Sequence, residues 1–440
     1  MFRYSLTLTG SFLILLSGGY SAQAETLAEA VDAAIMHHPS AEAAQAGIGI
    51  AEQRKREEFS GYFPEVSING SYGRMYGDNS TSRGLVTDRG AAYSYVGEGS
   101  LSVRQMIFDG FETPSRVEAA QTRQTEAGSS AADVRESLAL RAAQAYVNVL
   151  RTRAGISMLY AHRSQVDEYL GRIETMVNEG AADEAELQQA KEIRVILAGI
   201  IREYEGQAKS AEADYAEATG HLPGDSLLKT EPRLDLVPAY ADEATTFALS
   251  HHPAILAAEL EAAASGHDVD AEKAILYPDL GGEVSYLKSD KADVIGGEVI
   301  DARALMRLNW NFSTGGAELA RIKGKQIAHR ESLAKTQEIK RRIERDVRVS
   351  YSEFETAKEQ YKLLAERAGL NGGLFETYKT QFEGARISQL QLMQAHNQLF
   401  NTELEKMNGE HRLLAAQYAV LAGVGRLQES LTDPPPEAYE

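Results

Sequence analysis

Two stretches of this chain carry adjacent imidazoles, Met36-His37-His38-Pro39 and Ser250-His251-His252-Pro253, set 214 positions apart. Paired histidines suggest metal binding, but neighbours in sequence do not point the same way on a helix or a strand. A chelate needs His at i and i+3 or i+4, or supporting Cys, Asp or Glu at ligand spacing. Neither stretch supplies this, and the chain contains no Cys. It also lacks a nucleophile elbow, a His-Glu-x-x-His helix, a phosphate loop and a Gly-rich dinucleotide turn. No enzyme activity, metal or cofactor is expected. The recurrence of His-His-Pro is then the informative feature, and the proline suits the first turn of a helix.

The recurrence extends well beyond the histidines. Tyr62-Phe63-Pro64 matches Leu276-Tyr277-Pro278 at the same offset of 214, Phe108 matches Phe312 at 204, and Tyr146 and Ala190 match Tyr351 and Ala395 at 205. The first copy therefore carries ten extra residues between Pro64 and Phe108. Two copies indicate one duplicated unit and not a solenoid.

Each copy reads as helix, two strands, then much more helix. Leu27 to Ser60 is helical until Pro64, which disfavours helix at the residue before it. The period then changes to two. Val66, Ile68, Tyr72 and Tyr76 share one face, and Tyr93, Tyr95, Leu101, Val103 and Ile107 alternate with polar residues. The second copy gives Leu280, Val284 and Tyr286, then Ala304, Met306, Leu308, Trp310 and Phe312. Strands are expected at about 64–76, 92–108, 278–288 and 302–312. Aromatic-rich strands of about ten residues, apolar on one face, resemble transmembrane β-barrel strands, although a soluble two-hairpin sheet gives the same alternation. Four strands cannot close a barrel, since the smallest have about eight. Membrane insertion would require several chains to share one barrel.

Glu112 to Asn178 carries no proline beyond Pro114 and makes roughly 100 Å of helix. Asp183 to Thr219 and the leading helix 27–60 together make about the same length. Ala142, Tyr146 and Val149 keep the i, i+4, i+7 spacing of Val347, Tyr351 and Phe354. A coiled-coil-like hairpin is expected twice.

Arg3, the apolar run Leu6 to Leu16 and Ala22-Gln23-Ala24 form a secretory leader, with cleavage expected between Ala24 and Glu25. That run is too short to span a bilayer as a helix, and no later stretch is long and apolar enough. Losing the leader takes the formal charge from −19 to −20, which argues against a nucleic-acid partner.

The order and spacing of these features resemble the TolC family of outer-membrane efflux and type I secretion proteins. The motifs are the repeat itself, His-His-Pro-Ser and His-His-Pro-Ala, "GYFPEV" and "LYPDL", "FDGFE" and "FSTGGAE", and "GAADEAELQQA" (180–190) with "ARISQLQLMQAHNQLF" (385–400). The resemblance implies an α+β membrane protein with an internal twofold repeat. Three chains would form a homotrimeric 12-stranded transmembrane β-barrel, continuous with a long periplasmic α-helical barrel of coiled-coil hairpins. It implies a first repeat over 25–220, an equatorial linker over 221–243 and a second repeat over 244–427. The turns 77–91 and 289–301 should face outside the cell, and 428–440 should be a disordered tail.

The resemblance also implies outer-membrane lipid around the barrel, and a periplasmic adaptor and an inner-membrane transporter as partners. Hairpin tips would close the tunnel and meet the adaptor, with Gly180, Ala181, Leu187, Ala385 and Leu392 as contact candidates. Asp183, Glu184, Glu186 and Gln189 in the first tip, and Arg386, Gln391 and Gln394 in the second, are entrance and gating candidates. Arg386 could pair with the acids of the other tip, an exposed interaction of about 0–1 kcal/mol per copy. Leu187, Leu390, Leu392 and Met393 also fit coiled-coil packing. The second tip lacks carboxylates at 391 and 394, and there is no lipid-bearing Cys. Both features favour type I protein secretion over small-molecule efflux by a duct of the same architecture. A secreted structural coiled coil is the rival from another class, but it leaves the four strands unexplained.

Overall fold

The computed structural model describes residues 24–78, 90–290 and 298–432 apart from Phe312. The leader up to residue 23, most of both strand connections, Phe312 and the final eight residues lie outside them.

The first copy contains α1 (Leu27–His37), α2 (Pro39–Ser60), β1 (Glu65–Gly77), β2 (Ala92–Phe108), α3 (Glu112–Asn178) and α4 (Glu184–Thr219). The second contains α5 (Ala241–His251), α6 (Pro253–Lys273), β3 (Asp279–Ser289), β4 (Val299–Asn309), α7 (Ala317–Glu383) and α8 (Gln389–Gly423). A last short helix, α9 (Leu427–Thr432), follows. Both long helices, α3 and α7, have 67 residues.

Each His-His-Pro is a helix joint. His38 ends α1 in extended conformation, and its Nδ1 accepts the Ser40 N–H at 3.1 Å while Pro39 opens α2. His252 does the same between α5 and α6, its Nδ1 accepting the Ala254 N–H at 3.2 Å. The second imidazole is an N-cap, satisfying a donor that the helix leaves orphaned.

The helices form a layer four wide at every level. Above, α2, α3, α6 and α7 lie side by side; below, α4 replaces α2 and α8 replaces α6, with α3 and α7 running the full length. One core sits at mid-height around Tyr146, Tyr215, Tyr418 and Leu421, and another fills the lower half around Leu159, Ile173, Met393 and Phe400.

Residues 220–240 wrap this mid-level, and tyrosine hydroxyls hold them there. Tyr146 donates to the carbonyls of Glu25 and Leu228, both at 2.7 Å, Tyr351 to Pro238 at 2.6 Å and Tyr418 to Thr230 at 2.9 Å. Burial pushes the Tyr146 and Tyr351 hydroxyls up to about 12, keeping them as donors. Glu25 joins the same belt: its carboxylate accepts the Tyr215 hydroxyl and the Gly224 N–H.

Two expectations are corrected. Residues 428–432, expected in a disordered tail, belong to α9, because the buried Glu136 carboxylate of α3 accepts the N–H groups of Leu427 and Gln428 and caps it. Strand β4 runs 299–309 and not 302–312: its last partner is Asp279, and the preceding Pro278 has no N–H to extend the ladder.

Candidate channel wall and periplasmic entrance

The sheet has the order β1-β2-β3-β4, antiparallel throughout. Its register places Val66, Val103, Val284 and Ala304 in one row across the strands, and Ile68, Leu101, Tyr286 and Ala302 in another. This face is open to the surroundings, with Ile68 and Tyr72 nearly four-fifths exposed. Ser67, Ser102, Ser285 and Arg303 form the matching row on the opposite face, where Arg307 donates to Glu283 at 2.8 Å. Aromatic rings border the apolar face at both ends. Tyr72, Tyr76, Tyr93 and Tyr95 cluster at one, with the Arg74 guanidinium over the Tyr93 ring; Phe63, Tyr277 and Trp310 stand at the other. From Phe63 to Tyr72 the strand runs about 30 Å, or roughly 23 Å in height at a tilt near 40°. That matches the apolar band of a membrane barrel.

Directly beneath the polar face lies a cavity of about 1220 Å³, touched by all four upper helices and by Asp279, Asn309 and Asn311. A cavity that meets every helix of a curved layer is on its concave side. Its wall is charged: Arg123 donates to both oxygens of Asp268 at 2.6 and 3.3 Å and lies 3.4 Å from Glu261. Burial raises the carboxyl of nearby Glu126. The polar sheet face and this charged wall are continuous.

At the far end, about 100 Å of helix away, the two tips are built alike. Gly180 has φ 76°, Gly180 N–H donates to Val177 and Ala181 N–H to Met176. Ala385 stands in the same place with φ 56°, and Arg386 N–H donates to Gln381. Both are Schellman turns, whose left-handed residue favours glycine. The left-handed conformation costs an alanine about 1 kcal/mol. Ala385→Gly is therefore expected to slow amide exchange at the second tip about fivefold, and Gly180→Ala to speed it at the first by a similar factor, as read by hydrogen exchange.

The structure separates the entrance candidates. Asp183, Glu184, Gln189 and Gln394 are exposed, and Glu186 is half-buried. Glu184 accepts from Gln188 at 2.8 Å. The Gln391 side chain accepts the Ser388 N–H at 3.1 Å in a capping box, which turns it back onto its own helix end. Leu187 and Leu392 are buried, along with Leu390 and Met393, so they pack the hairpins and do not present a contact surface. Gly180, Ala181 and Ala385 remain exposed. Arg386 is exposed and makes no ion pair among the described residues of the chain, so its pairing with the acids of the other tip, a latch across the entrance, is not formed within one copy.

An apolar-outside sheet over a charged, concave helical layer is the wall of a duct. The family described as outer membrane efflux protein matches residues 30–221 and 246–426. The chain belongs to that family. The outer membrane efflux protein BepC of Brucella suis biovar 1 (strain 1330) is 26% identical over 427 residues, covering 94% of this chain and 89% of its own. The CmeC outer membrane channel of Campylobacter jejuni has the same fold, with a TM-score of 0.77 at 14% identity over 91% of this chain and 86% of its own. VceC of Vibrio cholerae, an outer membrane protein, gives 0.74 at 16% over 91% and 96%. The protein is thus an outer-membrane efflux channel subunit, contributing four strands to the barrel and its helices to the periplasmic tunnel.

Two imidazoles in the lower tunnel wall of this efflux protein escaped sequence reading. His162 of α3 is 3% exposed, stacks on Phe400 at 3.8 Å between centroids and meets Asn397 Oδ1 at 3.1 Å through Nε2. His396 of α8 lies 5.0 Å away, and neither Nδ1 has a partner among the described residues. Repeat comparison was blind to them because they align with Arg367 and Lys191. Burial pushes His162 down to about 4 and lowers His396 as well. The unfolded imidazole titrates near 6.5, so the neutral-pH stability is lost as pH falls from there through about 4. For His162 the loss is on the order of 3 kcal/mol. His162→Phe keeps a ring on Phe400 and removes that titration. Its melting temperature is expected to fall much less than the wild-type value between pH 7.5 and pH 5.

Proposed function

We propose that three copies of this chain close a 12-stranded barrel and a helical tunnel that serves as the exit duct of an inner-membrane transporter, joined to it by a periplasmic adaptor at the hairpin tips. One observation carries the reading: a four-stranded sheet with an apolar outer face and two edges, β1 and β4, left unpaired among the described residues, set on a helical layer with a charged concave side. Open strand edges demand partners, and three chains supply the strands that one lacks. Cleavage after Ala24 leaves Glu25 as the first residue of the belt. The duct performs no chemistry, and the transporter supplies the energy.

Its cargo is protein, exported by type I secretion. Neutral Gln391 and Gln394 support this, since the second tip adds no carboxylate to an entrance ring that would favour small cations. A deletion strain is expected to lose one or a few large proteins from the medium while keeping its resistance to cationic dyes. Unchanged medium proteins with dye sensitivity would assign the duct to small-molecule efflux. Arg386 holds the entrance through Asp183, Glu184 or Glu186 of an adjacent copy. Arg386→Ala is expected to raise single-channel conductance several-fold, and unchanged conductance would remove the latch.

A further inference from the structure

On the other side of the helical layer, α6 and α7 enclose a second cavity of about 410 Å³. Val269, Asp270 and Lys273 of α6 and Lys323, His329 and Arg330 of α7 line it. On each helix these residues lie roughly 120° around from those that line the luminal cavity, such as Glu272 and Arg321. The luminal cavity reaches Asp279 and Asn309, on the polar sheet face. The second cavity therefore opens on the side of Leu280 and Leu308, the face toward lipid. Lys273 ends α6 four residues before Tyr277, and the 3-10 turn 274–276 between them places it about 8 Å below the aromatic rim. That is the headgroup level of the periplasmic leaflet.

The cavity is built for an anion. Lys323 and Arg330 make no ion pair among the described residues, and only Lys273 is matched, by Asp270 at 2.7 Å. Three cations thus face one carboxylate, in a chain whose formal charge is −19. Behind them the Nδ1 of His329 is buried with no hydrogen-bond partner among the described residues. Gly266 keeps the approach to that imidazole open, since a Cβ there would lie 3.6 Å from His329 Cε1. Above, the exposed Met306 and Leu308 offer an apolar track for acyl chains. We propose that this cavity binds the phosphate of an anionic phospholipid of the periplasmic leaflet, and that the lipid braces the junction between barrel and tunnel. Lys323, Arg330 and Lys273 hold the phosphate oxygens, and His329 supplies a further donor from below.

The test is a thermal-shift titration of the detergent-purified full chain with dihexanoyl phosphatidylglycerol, dihexanoyl phosphatidylcholine or inorganic phosphate. Wild type is expected to bind the phosphatidylglycerol about tenfold more tightly than the phosphatidylcholine. Lys323→Gln/Arg330→Gln should lose that preference, while Lys358→Gln/Lys362→Gln, far down α7, should keep it. Inorganic phosphate should shift neither protein. An equal phosphatidylglycerol preference in wild type and the Lys323/Arg330 variant would overturn the site. Equal stabilisation by inorganic phosphate would overturn its lipid occupant. Neither readout depends on cargo, so the site and the secretion reading fail independently.

Discussion

Gly155→Val is expected to prevent assembly of a stable protein, and Gly155→Ala to lower its stability by about 2–3 kcal/mol. Gly155 lies in α3 where the helix meets both α4 and α8. A Cβ there would stand 2.3 Å from Cε1 and 2.7 Å from Cδ1 of Tyr204, and 3.3 Å from Cε of Met407. The Tyr204 ring cannot swing away freely. It is buried in the lower core, and its hydroxyl accepts from Asn408 Nδ2 at 2.8 Å. Alanine gains about 1 kcal/mol of helix propensity over glycine, so the net loss measures the steric conflict after that gain. Melting of the detergent-solubilised protein should fall by several degrees for the alanine variant. Tyr204→Leu in the same chain should restore much of it, because a shorter side chain vacates the space. A Gly155→Val protein that melts like wild type would show that α3 and α4 do not approach this closely.

Val103→Arg and Ser102→Arg should behave oppositely, although the positions are adjacent. Val103 sits between Val66 and Val284 at the centre of the apolar face, and Ser102 between Ser67 and Ser285 on the polar one. A cation on the lipid side of a barrel costs about 2–4 kcal/mol near the midplane, repeated in every copy of the oligomer. Val103→Arg should therefore reduce the amount of protein recovered in outer membranes at least tenfold. Ser102→Arg should be recovered normally and change ion selectivity, since its charge enters the lumen. Equal recovery of the two variants would mean that the faces are not lipid and water.

The strands were legible because their period of two survives whatever encloses them, and the row of Val66, Val103, Val284 and Ala304 follows from alternation alone. The tips were legible through the repeat, which set Ala385 against Gly180 before their shared left-handed geometry was visible. The limit of β4 was not, because it depends on a missing N–H at Pro278, just before the strand it pairs with. Contacts between distant residues were also hidden: Glu136 caps a helix that begins 291 positions later, and His162 meets His396 only across the seam between hairpins. Leu187 and Leu392 mark another limit, since a leucine near a tip reads equally as a contact or a knob, and only packing decides. Arg386 makes no ion pair among the described residues of one chain, and its role is a question about neighbouring copies.

The central claim is that this chain assembles into a closed, water-filled duct across a membrane, and single-channel conductance of the purified protein in a planar bilayer tests it most directly. Uniform, long-lived steps, raised by Arg386→Ala and altered in selectivity by Ser102→Arg, are the predicted result. Purified protein that is inserted in the bilayer but gives no steps, with Arg386→Ala equally silent, would contradict it.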